Sequence, residues 1–216
     1  MAFLSANLSI LIALIFYVMI HFFNRWIHHH ARTLILGSLI IASLVLFTHL
    51  PILDDIINRG HLSLAFFLII MFAGVMKKTW IPYKKILLIR GDLAIMGFIF
   101  LLPHGIERLS LAFSGYNTSG FIAALIMIPL TLSSFISIRK KIRPDRWKKL
   151  HKLAYVAYLM IYIHLGFDLS INPANLYVML SPNSVLFHVL MVVYLMMKIM
   201  RLNDQKITQE NRLLVD

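Results

Sequence analysis

Seven apolar segments of between 15 and 23 residues alternate along this chain with short basic loops. A helix needs about 20 apolar residues to cross the hydrocarbon core of a bilayer. Polar backbone groups have no water partners there, so each segment must satisfy them as a helix. The segments are Leu4–Phe23, Thr33–Leu50, Leu62–Met76, Gly91–Phe113, Gly120–Ile138, Leu150–Phe167 and Val185–Met200. The sequence therefore predicts an all-α integral membrane protein, a bundle of seven transmembrane helices.

The overall composition agrees with a membrane protein. Hydrophobic residues make up 60% of the 216 residues and charged residues only 14%, whereas a soluble domain carries about 25% charged residues. The long apolar runs favour helices over a β-barrel, whose strands alternate in polarity. The chain has no cysteine, which excludes disulfides, iron–sulfur clusters and thiol chemistry. Any bound metal must rely on His, Met, Tyr or carboxylate ligands.

The positive charge is distributed unevenly between the loops, and this predicts the orientation in the membrane. Nineteen of the 21 Lys and Arg residues lie on one side of the predicted spans, and only Arg59 and Arg108 lie opposite. Because cytoplasmic loops are enriched in Lys and Arg, the N-terminus is predicted outside and the C-terminus in the cytoplasm. We expect a multi-pass protein of a bacterial cytoplasmic membrane, with the first segment retained as a span. Basic residues concentrated in the loops between apolar segments do not indicate nucleic-acid binding.

Three of the histidines that fall within the predicted spans are the main candidates for a functional site. His151 and His164 lie thirteen residues apart in the sixth segment, about 20 Å along a helix. The predicted topology places His104, in the fourth segment, at the same outer depth as His164. Histidine inside a membrane indicates a functional site, and a pair of imidazoles can hold a haem iron between two helices. The alternative for each is an interfacial histidine that binds water or a carbonyl group.

The pattern Trp-x3-His-x3-Tyr followed by a second histidine resembles the ferric reductase-like transmembrane domain family. That family includes the cytochrome b core of NADPH oxidases and iron reductases, and the haem-binding membrane subunit of the bacterial methionine sulfoxide reductase system. The resemblance depends on seven residues, which are Gly60, Arg90, His104, Trp147, His151, Tyr155 and His164. It implies a six-helix haem domain at residues 33–200, an extra helix with a basic loop at 1–32 and a cytoplasmic tail at 201–216. It also implies that His104 and His164 ligate an outer haem b.

The inner site departs from the pattern of the two-haem members. Their fourth helix carries a second histidine at the position of Arg90, and arginine cannot replace imidazole as a ligand. His151 is then a one-sided ligand, a partner for another group, or a contact for FMN or a quinone. One haem b is expected, and a second haem is an open alternative. Arg90 is a candidate for binding a haem propionate, a flavin phosphate or lipid, and Arg108 is either a propionate partner or an exposed loop residue.

Other histidines form weaker candidates. His49 and His61 flank a predicted outer loop that contains Asp54 and Asp55. Together they could bind a ferric or cupric ion, but a solvated loop is the favoured interpretation. His188, in the seventh segment, is a reserve haem ligand if His104 fails.

The expected function is transmembrane electron transfer. Only about sixteen residues follow the last segment, and no dinucleotide-binding glycine pattern is present, so no flavin or NAD(P)H domain is expected. We expect electrons from a cytoplasmic flavin reductase or quinol, and an extracytoplasmic redox protein or ferric ion as acceptor. The competing class is a non-redox membrane protein, such as a small transporter or assembly subunit. Spans almost free of acidic residues and the lack of an internal repeat disfavour it.

Overall fold

The computed structural model describes residues 2–48, 51–116, 118–172, 175–180 and 185–213. These residues form eleven helices and one β-hairpin. In chain order they are α1 (Ala2–His29), α2 (Ala31–Thr48), α3 (Pro51–Ile57), α4 (His61–Ala73), α5 (Ile81–Glu107), α6 (Leu109–Phe113), α7 (Thr118–Leu132), α8 (Ile136–Arg139), α9 (Pro144–His151), α10 (Leu153–Gly166), β1 (Phe167–Asn172), β2 (Asn175–Leu180) and α11 (Val185–Leu213).

Five helical stretches of the described residues are long and apolar enough to cross a membrane. They are Asn7–His29, Ala31–Thr48, Leu53–Ala73, Ile81–Glu107 and Val185–Gln205. The fifth predicted span corresponds to α7, an apolar helix of only 15 residues. The structure therefore supports a membrane helical bundle, but it does not confirm seven spans.

The sixth predicted span is not one continuous helix. The chain tightens at Lys152, where its amide donates to the Lys149 carbonyl and its own carbonyl accepts from the Tyr155 amide, both at 3.1 Å. These bonds connect residues three apart, as in a 3₁₀ turn. His151 consequently ends α9, whereas His164 lies in α10.

The fourth predicted span begins earlier than expected. Helix α5 starts at Ile81, ten residues before Gly91, because Trp80 is extended and Pro82 occupies the first helical turn. Proline suits that turn since its missing N–H would have no partner there. Arg90 therefore lies within α5 and does not open it.

A β-hairpin departs from the all-α prediction. Strands β1 and β2 pair antiparallel between α10 and α11, with Phe167 opposite Leu180 and Asn172 opposite Asn175. The residues from Phe167 to Ile171 alternate between apolar and polar types, which is the period of a half-buried strand. The two strands lie in the connection between α10 and α11 and do not change the class of the fold, which is a helical membrane bundle.

Helix α4 lies at the centre of the bundle and packs closely on α5. The rings of Phe66 and Phe100 stack with centroids 6.0 Å apart, and the ring of Phe16 in α1 lies 4.9 Å from that of Phe66, centroid to centroid. Close approach requires Gly97, where an added Cβ would lie 2.9 Å from the Phe66 Cβ.

Helix α1 is kinked at Phe23, whose φ and ψ are −115° and 15°.

Gly97→Ala is expected to lower the stability of the bundle by about 1–3 kcal/mol, because the added methyl group overpacks the α4–α5 contact. Thermal denaturation of the purified protein in detergent measures the effect. Gly37→Ala is the matched control, since a Cβ at Gly37 meets nothing within 4 Å. Equal melting temperatures for the two variants would contradict the predicted close contact.

Two ends of the bundle can be distinguished by their contacts. At the His151 end, Lys85 Nζ donates to the His21 carbonyl at 2.6 Å and Lys77 pairs with Asp204 at 2.8 Å. At the His104 end, the Ser9 hydroxyl lies 2.8 Å from His61 Nδ1. On α5, Arg90 lies towards the His151 end and His104 lies at the other end, about 20 Å away along the helix.

Candidate functional site

His104 lies in the last turn of α5 with a fixed protonation pattern. Its Nδ1 donates to the backbone carbonyl of Asn58 at 2.7 Å. A carbonyl group only accepts hydrogen bonds, so Nδ1 carries the proton and Nε2 of the neutral ring is free to bind a metal. This hydrogen bond gives His104 the same kind of orienting partner that metal-bound histidines have.

The turn between α3 and α4 holds that carbonyl in place. Asn58 Nδ2 donates to Glu107 Oε1 at 2.7 Å, which connects the turn to the end of α5. Gly60 follows with φ of 77°, a left-handed conformation that favours glycine. The His104 ring packs over Gly60, where an added Cβ would lie 3.4 Å from the ring. The backbone of this turn therefore supports one face of the imidazole.

His164 in α10 faces His104 across a gap. The two ring centroids are 6.2 Å apart and the ring planes are inclined by 64°. His164 Nδ1 is buried and has no hydrogen-bond partner. Gly120, at the start of α7, allows the close approach of this ring, since a Cβ there would lie 3.0 Å from Nδ1. A buried polar atom without a partner indicates a site that a ligand completes.

The spacing of the two rings fits a shared metal. When one metal binds a nitrogen of each imidazole at about 2 Å, the centroids lie about 6 Å apart, because each centroid is about 1.1 Å beyond its nitrogen. Both histidines line a cavity of about 230 Å³ whose walls are mostly apolar. Among the described residues, no group of three His, Asp or Glu side chains could hold a metal. A third histidine, His61, also lines this cavity, but its Nδ1 is 2.8 Å from the Ser9 hydroxyl. The facing pair of imidazoles, His104 and His164, suits a haem, whose macrocycle supplies the remaining ligands.

Cationic residues lie at the edge of the same cavity. Arg108 caps the end of α5, lines the cavity and is exposed, so it stays a candidate for a carboxylate of a bound group. Arg59 also lines the cavity, but its guanidinium pairs with Asp55 at 2.6 Å.

The predicted weak metal site in the loop is not assembled by the described residues. His61 is 2.8 Å from the Ser9 hydroxyl, and Asp55 pairs with Arg59. His49 lies outside the described residues, so the complete set is not tested.

His188 is held away from the pair of histidines. Its Nδ1 is 2.9 Å from the Tyr162 hydroxyl, and it does not line the cavity that His104 and His164 share. The structure gives no support to its role as a reserve ligand.

The His151 end contains a second, smaller cavity of about 150 Å³, which Arg90 and His151 line together. His151 Nε2 lies 3.1 Å from the Ser133 hydroxyl, and its ring packs against Trp147 with centroids 4.1 Å apart and planes inclined by 36°. The Arg139 guanidinium covers the same indole at 4.6 Å. No second histidine lines this cavity in the described part of the chain, so the structure brings Arg90 and His151 together without forming a bis-histidine site.

Three contributors to these sites were missed at the level of sequence, namely the Asn58 carbonyl, Gly120 and Ser133. Asn-Arg-Gly at residues 58–60 is a turn signal. It predicts a bend, but it does not predict that the Asn58 carbonyl accepts a hydrogen bond from the His104 ring. Gly120 and Ser133 have no local signal, because their role is to approach a ring from another helix.

Comparison with known proteins supports the class of the fold. Residues 59–162 match the family model described as "Ferric reductase like transmembrane component", which confirms the predicted resemblance. The matched region contains Gly60, Arg90, His104 and His151 but ends two residues before His164. It supports membrane electron transfer as the class of function.

The chain is also similar to an uncharacterized protein of Treponema pallidum (strain Nichols). The two are 26% identical over 157 residues, which is 66% of this chain and 43% of the relative. The alignment thus spans less than half of the relative's length. No solved structure matches the chain.

Proposed function

We propose that this protein is a haem b-containing transmembrane electron carrier. The observation that carries the proposal is the pair His104 and His164, with ring centroids 6.2 Å apart in one apolar cavity. The buried His164 Nδ1 without a partner supports it further. The ferric reductase-like family match agrees with this class of function.

The residues of the cavity bind and orient the cofactor. His104 presents Nε2 because its Nδ1 donates to Asn58, and His164 approaches from the other side because Gly120 leaves room for its ring. Arg108 neutralises a propionate at the cavity edge. Bound haem b takes up and releases single electrons, and its axial ligands and surroundings set the potential.

Electrons enter at the His151 end and leave at the His104 end. We assign the His151 end to the cytoplasm of a bacterial cell and the N-terminus to the outside, because basic residues are concentrated at the His151 end and cytoplasmic loops are enriched in Lys and Arg. A cytoplasmic flavin reductase or membrane quinol is the donor, and an extracytoplasmic redox protein or ferric ion is the acceptor. Arg90 and His151 bind an anionic or polar group of the entry pathway, such as FMN or a quinone. The chain acts as the electron-transfer component of an oxidoreductase.

Purification after expression with added haem precursor tests the proposal. Oxidised and dithionite-reduced visible spectra are expected to show Soret and α bands of a low-spin haem b, since both axial positions are histidines. A pyridine haemochrome assay should give one haem per chain. A ratio of two would require a second ligand set at the His151 end. Protein that folds but contains no haem would overturn the proposal and leave a non-redox membrane protein.

A further inference from the structure

A third cavity, of about 310 Å³, lies at the His151 end among α4, α5, α10 and α11. Three cationic residues line it, namely Arg90, Lys198 and Arg201. No acidic side chain is among its lining residues, and the nearby Asp204 is paired with Lys77. This concentration of positive charge in a cavity favours an anion.

Tyr194 provides an independent sign of a missing partner. The residue lines the cavity and is only 6% exposed. Its hydroxyl is buried and makes no hydrogen bond. An unpaired buried hydroxyl destabilises a protein, so a ligand oxygen that accepts from Tyr194 would remove this cost.

The cations keep unused donors. Lys198 Nζ donates to the Tyr155 hydroxyl at 2.7 Å, which leaves two of its three N–H groups. Arg201 donates one N–H to the Gly74 carbonyl. Arg90 makes no hydrogen bond or ion pair that the structure records with the described residues. Several N–H donors therefore remain for an oxyanion with more than one acceptor oxygen.

The exposed face of α11 next to Lys198 is apolar. Leu195, Met196 and Ile199 are each more than half exposed, and they precede and follow Lys198 in a helix long enough to cross a membrane. A ligand with an anionic head and an acyl chain can place the head in the cavity and the chain along this face. A small soluble anion would contact only the cavity and not the apolar face of α11.

We infer that this cavity binds the phosphate group of an anionic phospholipid. Basic cavities between membrane helices at the cytoplasmic side are suited to such headgroups. The phosphate oxygens accept from Lys198, Arg201 and the Tyr194 hydroxyl, and the acyl chains pack against α11. This inference does not depend on haem, and its test reads lipid binding alone.

Delipidated protein in detergent is titrated with phosphatidylglycerol or phosphatidylcholine, and thermal stability and native mass spectrometry report binding. Phosphatidylglycerol is expected to bind about tenfold more tightly than phosphatidylcholine. FMN and inorganic phosphate are titrated in separate experiments as soluble phosphate ligands. If FMN or inorganic phosphate raises the melting temperature and Lys198→Met abolishes that rise, the ligand is a soluble phosphate and the lipid assignment is wrong. Equal binding of the two lipids would also overturn the assignment.

Variants locate the site. Lys198→Met is expected to weaken phosphatidylglycerol binding about tenfold. Lys78→Met is the control, because Lys78 is an exposed charge at the same end that does not line the cavity. This control should change binding by no more than about twofold. Tyr194→Phe should weaken lipid binding about fivefold yet leave the lipid-free protein as stable or more stable, because it deletes an unpaired hydroxyl. Equal losses in Lys198→Met and Lys78→Met would reduce the effect to general surface charge and overturn the site. A less stable lipid-free Tyr194→Phe protein would show that the hydroxyl is already paired and would also count against it.

Discussion

Replacing His104 or His164 with alanine is expected to remove the haem absorption of the purified protein. Each change deletes one of the two proposed haem ligands. His188 does not line the shared cavity, and His61, which does line it, has its Nδ1 2.8 Å from the Ser9 hydroxyl, so we expect neither to replace the lost ligand. Occupancy should fall to below about a tenth of the wild-type value, since even the loss of a supporting group costs 10- to 100-fold in metal affinity. The Soret band per chain, measured on equal amounts of folded protein, gives the result.

Two further histidine variants serve as controls for this experiment. His188→Ala removes an imidazole at the same end of the bundle that binds Tyr162, and it should keep full haem content. His151→Ala lies about 20 Å away by the rise of a helix and should also retain the absorption of the outer site. If His188→Ala loses haem while His104→Ala keeps it, the ligand assignment is wrong and His188 is the true partner of His164.

Gly120→Ala is expected to weaken haem retention about tenfold, which corresponds to about 1.4 kcal/mol of overpacking. The new Cβ would lie 3.0–3.1 Å from Nδ1, Cγ and Cε1 of His164, so the imidazole must shift away from its position opposite His104. The change adds one methyl group and removes no ligand. Haem content after a fixed number of washes, together with the reduced spectrum, measures the effect.

Gly105→Ala is the matched control for this change. Gly105 is the neighbour of His104 and lines the same cavity, but a Cβ there meets nothing within 4 Å. Alanine is also the better helix former, so this variant should retain haem and be at least as stable as the wild type. Equal haem loss in both variants would mean that the cavity rejects any added volume, and the proposed contact between Gly120 and His164 would be wrong.

The two cavities that lie near Arg90 and His104 on α5 share part of their walls. Phe67 and Met127 line both the His104 cavity and the smaller cavity of Arg90 and His151. The two sites are therefore separated by only a thin layer of side chains between α4 and α7. If the protein carries electrons as proposed, this layer is what an electron would cross between the His151 end and the pair His104 and His164.

Sequence patterns were sufficient for the membrane class, and they singled out two histidines, His104 and His164, whose rings lie 6.2 Å apart in the structure. Long apolar runs must become helices in lipid, and this physical constraint acts on each segment independently of its neighbours. His104 and His164 were matched by depth alone, because the distance of each from its loop determines how far it lies along a helix. The wrong details, at Ile81, Lys152 and the hairpin, are local. A proline-led start, a 3₁₀ turn and a short alternating strand each change only a few residues and do not alter the apolar pattern.

The tertiary structure alone decided how these residues meet. The tautomer of His104 depends on the Asn58 carbonyl, 46 positions away in the chain, and the room for His164 depends on Gly120 in another helix. The association of Tyr194 with Arg90 in one cavity likewise joins α5 to α11. A sequence sets the type and depth of each side chain through local periodicity, which extends over one helix at a time. Contacts between helices depend on how whole surfaces pack, so the ring separation, the unpaired hydroxyl and the basic cavity became visible only in the folded bundle.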